Sequence, residues 1–168
     1  MPTEALSFVD DGDVPNHPRW PLIVNSLAIA REALTTSEYA FDELFERNGW
    51  PVGFRNGIYP FTHYHSNTHE VLGIARGEAT VQFGGKSGKT LTARAGDALL
   101  LPAGTGHKRI SSSSDLLVIG AYPPGSNYDL MRSGEPDKIS IRARIARVAK
   151  PATDPISGGA GAMTKLWT

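Results

Sequence analysis

The chain has 168 residues, no cysteine, 17 basic against 17 acidic side chains, and 40% apolar and 20% charged content. That describes one ordinary folded domain with room for a core. Zero net charge leaves no electrostatic footprint for nucleic acid, and the missing thiols exclude disulfide scaffolds, thiolate metal sites and cysteine nucleophiles.

The N-terminus lacks the basic-then-apolar order of a signal peptide. The apolar stretch around Leu22 to Ala30, broken by Asn25 and Ser26, falls short of the ~20 residues that span a bilayer. These features predict a soluble, cytoplasmic protein with no nucleic-acid or membrane partner. Residues 1–21, polar and proline-rich, read as an arm lying on the surface, with His17 a surface residue. Leu22-Ile23-Val24 reads as a short strand. Thr35 and Glu38 have the spacing of a capping box, and Ala40, Phe41, Leu44 and Phe45 fall on one helical face. Asn48-Gly49 and Pro51 stop that helix, which is predicted from about Glu38 to Arg47.

From Gly57 the texture turns to β. Ile58, Tyr59, Phe61, Tyr64, Val71, Leu72 and Ile74 suit strands, and Ala79, Val81 and Phe83 alternate with Thr80 and Gln82. A Gly84–Gly88 hairpin loop returns through Thr90 to Ala93. Further strands are predicted over Asp97 to Leu101, His107 to Ile110 and Leu116 to Tyr122, and Pro123-Pro124-Gly125 ends the series. A helix is predicted within 135–148 from the spacing of Ile141, Ile145 and Val148, its arginines forming a solvated face. Leu166-Trp167 is expected to dock the tail onto the body.

Two segments carry the chemistry. In the first, His63 and His65 share one face of an extended chain, about 7 Å apart along it, and Glu70 follows a short turn over Ser66 to Thr68. Two imidazoles and a carboxylate suit iron, manganese, nickel, copper or zinc. In the second, a strand reaches Pro102, a glycine turn follows, and His107 opens the next strand, offering a third imidazole from the opposite side of a small barrel. His69 is a rival: a turn that reverses strand parity would let it replace Glu70 or His63. Tyr59 and Phe61 share parity with His63 and are candidates for the pocket wall or for plain core. Arg109 shares parity with His107 and is either an anion clamp or a rim residue. Asp97, beside a turn glycine, reads as a carboxylate tying up backbone N–H groups.

The spacing Gly57-x5-His63-x-His65-x4-Glu70-x6-Gly77, followed after 18 residues by Gly96-x5-Pro102-x-Gly104-x2-His107, resembles the two motifs of the cupin superfamily in order and without a gap. The one departure is Ser111, where the family pattern has an asparagine that does not touch metal. The longer pattern His-Tyr-His-Ser-Asn-Thr-His-Glu-Val-Leu-Gly is similar to a group of single-domain bacterial cupins of no assigned activity. The resemblance implies an all-β fold: a double-stranded β-helix (jelly-roll) barrel over 53–124, after an arm, strand and helix over 1–52 and before a C-terminal helix and tail over 125–168, in one domain. It also implies that His63, His65, Glu70 and His107 hold one divalent metal (Fe, Mn, Ni or Zn), with up to two coordination positions left for a small-molecule substrate. The expected function is a metal-dependent enzyme of oxygenase or isomerase type. The alternative is a barrel that binds or senses a sugar or organic acid. Because such barrels commonly pair through their sheets, the partner expected is a second copy of the chain, as a homodimer.

Overall fold

The computed structural model describes residues 2–168. In chain order, β1 (Thr3–Leu6) and β2 (Leu22–Asn25) precede α1 (Arg31–Thr36) and α2 (Ala40–Arg47). There follow β3 (Val52–Asn56), β4 (His63–Tyr64), β5 (Glu70–Arg76), β6 (Glu78–Phe83), β7 (Lys89–Arg94), β8 (Ala98–Leu101), β9 (His107–Ser112), β10 (Leu117–Ala121) and β11 (Met131–Arg132). The chain closes with α3 (Lys138–Arg147) and α4 (Ala162–Leu166). No described helix is long and apolar enough to cross a membrane.

The strands form two antiparallel sheets, in the orders β1-β2-β8-β5-β10-β3 and β11-β4-β9-β6-β7. From β4 onward the chain repeatedly crosses between them, which is the winding of a jelly-roll barrel. The all-β jelly roll expected from the sequence is therefore observed. Burial follows the pleat. On β6, Ala79, Val81 and Phe83 point into the barrel while Glu78, Thr80 and Gln82 alternate outward. β5 and β8 are buried on both faces. Leu72, Ile74, Leu99 and Leu101 fill the barrel, whereas Val71, Ala75, Ala98 and Leu100 meet α2 and the tryptophans Trp20, Trp50 and Trp167. Gly73 lies on that outer face, where an added Cβ would come within 2.6 Å of the Phe41 ring, so glycine is what lets α2 settle onto β5.

The helix expected from about Glu38 to Arg47 forms as α2, but without the Thr35/Glu38 capping box, and a further short helix, α1, precedes it. Thr35 lies inside α1 and its hydroxyl donates to Glu32 O at 2.7 Å, while α2 begins only at Ala40. Glu38 pairs instead with Arg55 at 3.3 Å and Arg76 at 2.9 Å, so two guanidinium partners from the sheet outcompete a local cap. The run of strands expected from Gly57 begins earlier, at β3, and Ile58–Phe61 lies outside the strands. β3 is an edge strand carrying Gly53, with little apolar alternation to betray it.

The arm is not a surface feature throughout. β1 pairs with β2, and Val14, Asn16, His17 and Trp20 are buried. Asn16 donates to Val9 O and Gly84 O and accepts from Gly106 N, which ties the arm to the β6–β7 hairpin and to the turn before β9. The surface placement of His17 is thus corrected: its ring stacks on Trp20 with centroids 4.7 Å apart. The C-terminal helix forms over a narrower span than 135–148, with Ile141 and Ile145 buried and its N-cap Asp137 accepting from Ser140 N. Of the expected Leu166-Trp167 pair only Trp167 docks, together with Met163; Leu166 remains 39% exposed.

Candidate metal centre

Three elements and one loop converge at the centre. His63 sits on β4 and His107 opens β9, and the two are direct partners across those strands. His107 therefore comes from the neighbouring strand, not from the opposite wall as expected. The opposite wall supplies Glu70, first residue of β5 in the other sheet, on the inward face with Leu72 and Ile74. His65 follows β4 in the connection to β5. All four side chains are buried.

His65 Nε2 lies 3.1 Å from Glu70 Oε2, and His107 Nε2 lies 3.2 Å from Glu70 Oε1. Donor atoms of His65, Glu70 and His107 all fall within 4.8 Å of one another. His63 stands outside that tight trio but beside it, its ring centroid 4.0 Å from that of His107. The opposite ring nitrogens are each engaged by a carbonyl. His63 Nδ1 donates to Phe61 O at 2.9 Å, His107 Nδ1 donates to Thr105 O at 3.0 Å, and His65 Nδ1 donates to Asp129 O. A carbonyl only accepts, so each Nδ1 carries a proton and, in the neutral ring, each Nε2 offers a lone pair. Lone pairs of His65 and His107 then face a carboxylate, a contact relieved by positive charge between them, whether a proton on Nε2 or a bound cation. Glu70 Oε1 has no hydrogen-bond donor, which makes it an orphaned buried oxygen. Three imidazoles of fixed tautomer and one carboxylate fit a divalent transition metal.

Burial opposes ionisation of Glu70, but His65 and His107 together hold its carboxyl well below the usual range. Burial likewise opposes the charged His65, and the Glu70 carboxylate overrides it and raises the imidazole. At His63 burial, helped by His107, outweighs the Phe61 carbonyl and the Glu70 carboxylate and drives it down to about 3. The Tyr122 hydroxyl donates to Glu70 Oε2 at 2.6 Å, and burial together with that carboxylate pushes the phenol up, so it keeps its proton. Asp129 anchors the far side, its carboxylate accepting from the amide and the hydroxyl of Ser66 while its carbonyl orients His65.

A cavity of about 330 Å³ opens onto the centre. Tyr59 and Arg109 line it, as does the whole set His63, His65, Glu70 and His107. Phe61 does not; it stacks behind Tyr59 with centroids 4.8 Å apart, under the Arg132 guanidinium. His69 points the other way, with Val71 and Ala75, toward Trp167 at 4.9 Å. Its Nδ1 accepts from Ala103 N and its Nε2 donates to Ala149 O, so both nitrogens are used and it is neither ligand nor pocket wall. Asp97 accepts from the backbone N–H groups of Leu27 and Arg94. Sequence reasoning missed Tyr122, Tyr128 and Asp129. Tyr122 ends an apolar strand and reads as core; the other two lie in a proline- and glycine-rich loop with no periodicity.

The outer cluster makes a testable contribution to acid sensitivity. Burial holds His69 at about 3 and, with Arg19 nearby, His17 at about 4. In the unfolded chain both titrate near ~6.5. Below that value the unfolded chain binds more protons, so the stability each neutral ring provides is complete above it and is lost as pH falls toward the folded value. His17 Nδ1 accepts from the amides of Arg19 and Trp20, an acceptor that asparagine can supply. Urea unfolding from pH 6.5 to 4.5 should therefore fall less steeply for His17→Asn than for the parent, by about 1.4 kcal/mol per pH unit. Parallel curves would show that His17 does not titrate on unfolding.

Residues 55–119 match the family described as cupin domain. "Uncharacterized protein YjlB" of Bacillus subtilis (strain 168) is 42% identical over 166 residues, covering 98% of this chain and 96% of its own. Among solved structures, a DUF861 family protein from Thermotoga maritima is similar at 19% identity over 59% of this chain and 96% of its own, with a TM-score of 0.36. Procruciferin, an 11S globulin from Brassica napus, is similar at 22% identity over 44% of this chain, with a TM-score of 0.37, and the match spans 20% of that globulin.

Proposed function

The chain belongs to the cupin family, and on that premise we propose that it is a divalent-metal-dependent enzyme acting on a small organic molecule, with His63, His65, Glu70 and His107 as the ligand set. The observation that carries the reading is the opposition of two bare imidazole nitrogens to a buried carboxylate with one undonated oxygen. A bound divalent metal supplies Lewis acidity there and, if iron or manganese, redox chemistry as well. The chain's own residues define what surrounds it. Backbone carbonyls fix the imidazole tautomers, and Tyr122 holds Glu70 in place. Apolar walls limit water in the cavity.

Proton transfer is poorly served. Among the cavity's side chains the phenol of Tyr122 is committed to Glu70, and no second carboxylate stands ready as a general base. That favours the oxygenase over the isomerase type. The test is elemental analysis of protein purified without a metal-affinity tag, followed by anaerobic Fe(II) loading and oxygen-consumption assays on a panel of small metabolites. One metal per chain and turnover of a panel member are expected. A filled site with no turnover, combined with ligand-induced thermal stabilisation that survives chelation, would favour a non-catalytic binding barrel instead. No metal retained by the parent protein would overturn the ligand set.

A further inference from the structure

The charges of the cavity are unevenly placed. Of the residues that line it, Glu70 is the single carboxylate, and its oxygens turn toward the imidazoles and Tyr122. Arg109 is the single permanent cation. It stands on β9 two residues beyond His107 and on the same inward face; their partners across β6 are Val81 and Phe83, both buried in the barrel. Arg55, Arg76, Arg94 and Arg142 each pair with a carboxylate at the protein surface. The guanidinium of Arg109, half-buried, has neither an ion pair nor a hydrogen-bond acceptor among the described residues.

The surroundings of this unused cation are apolar and flat. Phe54, Ile58 and Leu72 form part of the wall. Tyr122 and Tyr128 stack with centroids 4.4 Å apart and planes 17° from parallel, and Tyr59 presents its edge to His63 at 5.2 Å. Tyr59 and Tyr128 remain about half exposed at the mouth, which large aromatic side chains do more comfortably with something to cover them. A guanidinium offers five N–H donors in a planar fork matched to a carboxylate, and leaving them unmet beside apolar walls is costly.

We propose that the cavity takes a small planar monocarboxylate, its carboxylate paired with Arg109 and its apolar body lying against Tyr59 and the Tyr122–Tyr128 stack. A second carboxylate would find no further cationic side chain among the lining residues to pair with. The proposal rests on the metal reading of His63, His65, Glu70 and His107 for what lies at the far end of the ligand, whereas Arg109 anchors the carboxylate by itself.

The test is calorimetric titration of the metal-loaded full chain with benzoate and trans-cinnamate and with their neutral counterparts benzamide and cinnamamide. It is run on the parent, Arg109→Met and Arg109→Lys, with metal content measured on the same samples. The carboxylates should bind saturably and the amides at least tenfold more weakly. Arg109→Met should lose on the order of tenfold to a hundredfold in carboxylate affinity, the range of a charge-assisted bidentate pair, and Arg109→Lys should fall between. Metal content should be unchanged throughout. No saturable carboxylate binding, equal binding of acid and amide, or parent-like affinity in Arg109→Met would each overturn the proposal. The comparison of acid with amide on the parent chain needs no variant to fold. Metal occupancy without carboxylate binding would sink the anion subsite alone. Arg109-dependent binding by a chain that holds no metal would support the subsite and sink the metal reading.

Discussion

Glu70→Gln should lower divalent-metal affinity by at least about a hundredfold, more than the loss expected for a residue that only orients a ligand. Glu70 is the single anion of the centre, fully buried and reached by His65 at 3.1 Å and His107 at 3.2 Å. Glutamine has nearly the same shape but replaces one oxygen by an amide that donates. With its oxygen kept at Oε2 to accept from Tyr122, its NH₂ would face the Nε2 of His107 and hydrogen-bond it, so one of the two bare lone pairs would be satisfied without a cation and the centre would lose its negative charge. The variant should fold, because the carboxylate's charge is removed together with the demand it makes on its neighbours. Chelator competition followed by elemental analysis reads the affinity, and urea unfolding of the metal-free protein reads the stability. Parent-like metal affinity in Glu70→Gln would remove Glu70 from the ligand set.

Trp167→Ala should destabilise the protein by about 3–5 kcal/mol, the usual cost of emptying a site filled by a large aromatic side chain. In a domain of this size that is a fall in melting temperature on the order of 10 °C. Trp167 is fully buried, stacks on Trp20 with planes 2° apart, and touches His69. Its indole N–H donates to Pro21 O, and the Trp20 indole donates in return to Thr168 O. These contacts staple both ends of the chain over the outer face of β5, the strand whose first residue is Glu70. The neighbouring Leu166→Ala, at an exposed position, should change stability by less than about 0.5 kcal/mol. Equal, small effects for both variants would mean that the tail does not stabilise the barrel.

Much of the barrel is legible in the chain. Strands such as β6 alternate because one face meets the core and the other meets water, and that alternation is written in Ala79, Val81 and Phe83 against Thr80 and Gln82. The spacing of His63, His65, Glu70 and His107 is legible for a similar reason. Each belongs to a short strand or turn whose length the glycines and proline punctuate, so the separations in sequence carry the separations in space. The pairing of Asp97 with the Arg94 amide follows from a local turn, whereas its second donor, the Leu27 amide, arrives from far along the chain.

What local pattern could not decide was which way side chains face on elements buried from both sides. β5 runs Val71-Leu72-Gly73-Ile74-Ala75 with no polar residue to mark an outer face, so nothing near His69-Glu70 says which of the two looks inward. The answer comes from α2, Trp20 and Trp167, which cover the outer face and turn His69 toward them and Glu70 toward the histidines. The same long-range packing buries His17, which local composition places on the surface, and recruits Glu38 to Arg55 and Arg76 instead of to a helix cap. It also brings Tyr122 and Asp129 to the centre, from 52 residues beyond Glu70 and 64 beyond His65 respectively. By itself the sequence determined the strands, because periodicity is a property of neighbouring residues, and through its resemblance to the cupin motifs it pointed to the barrel and to the residue types at its centre. Only the tertiary structure decided which groups face one another there, because that depends on partners many strands away.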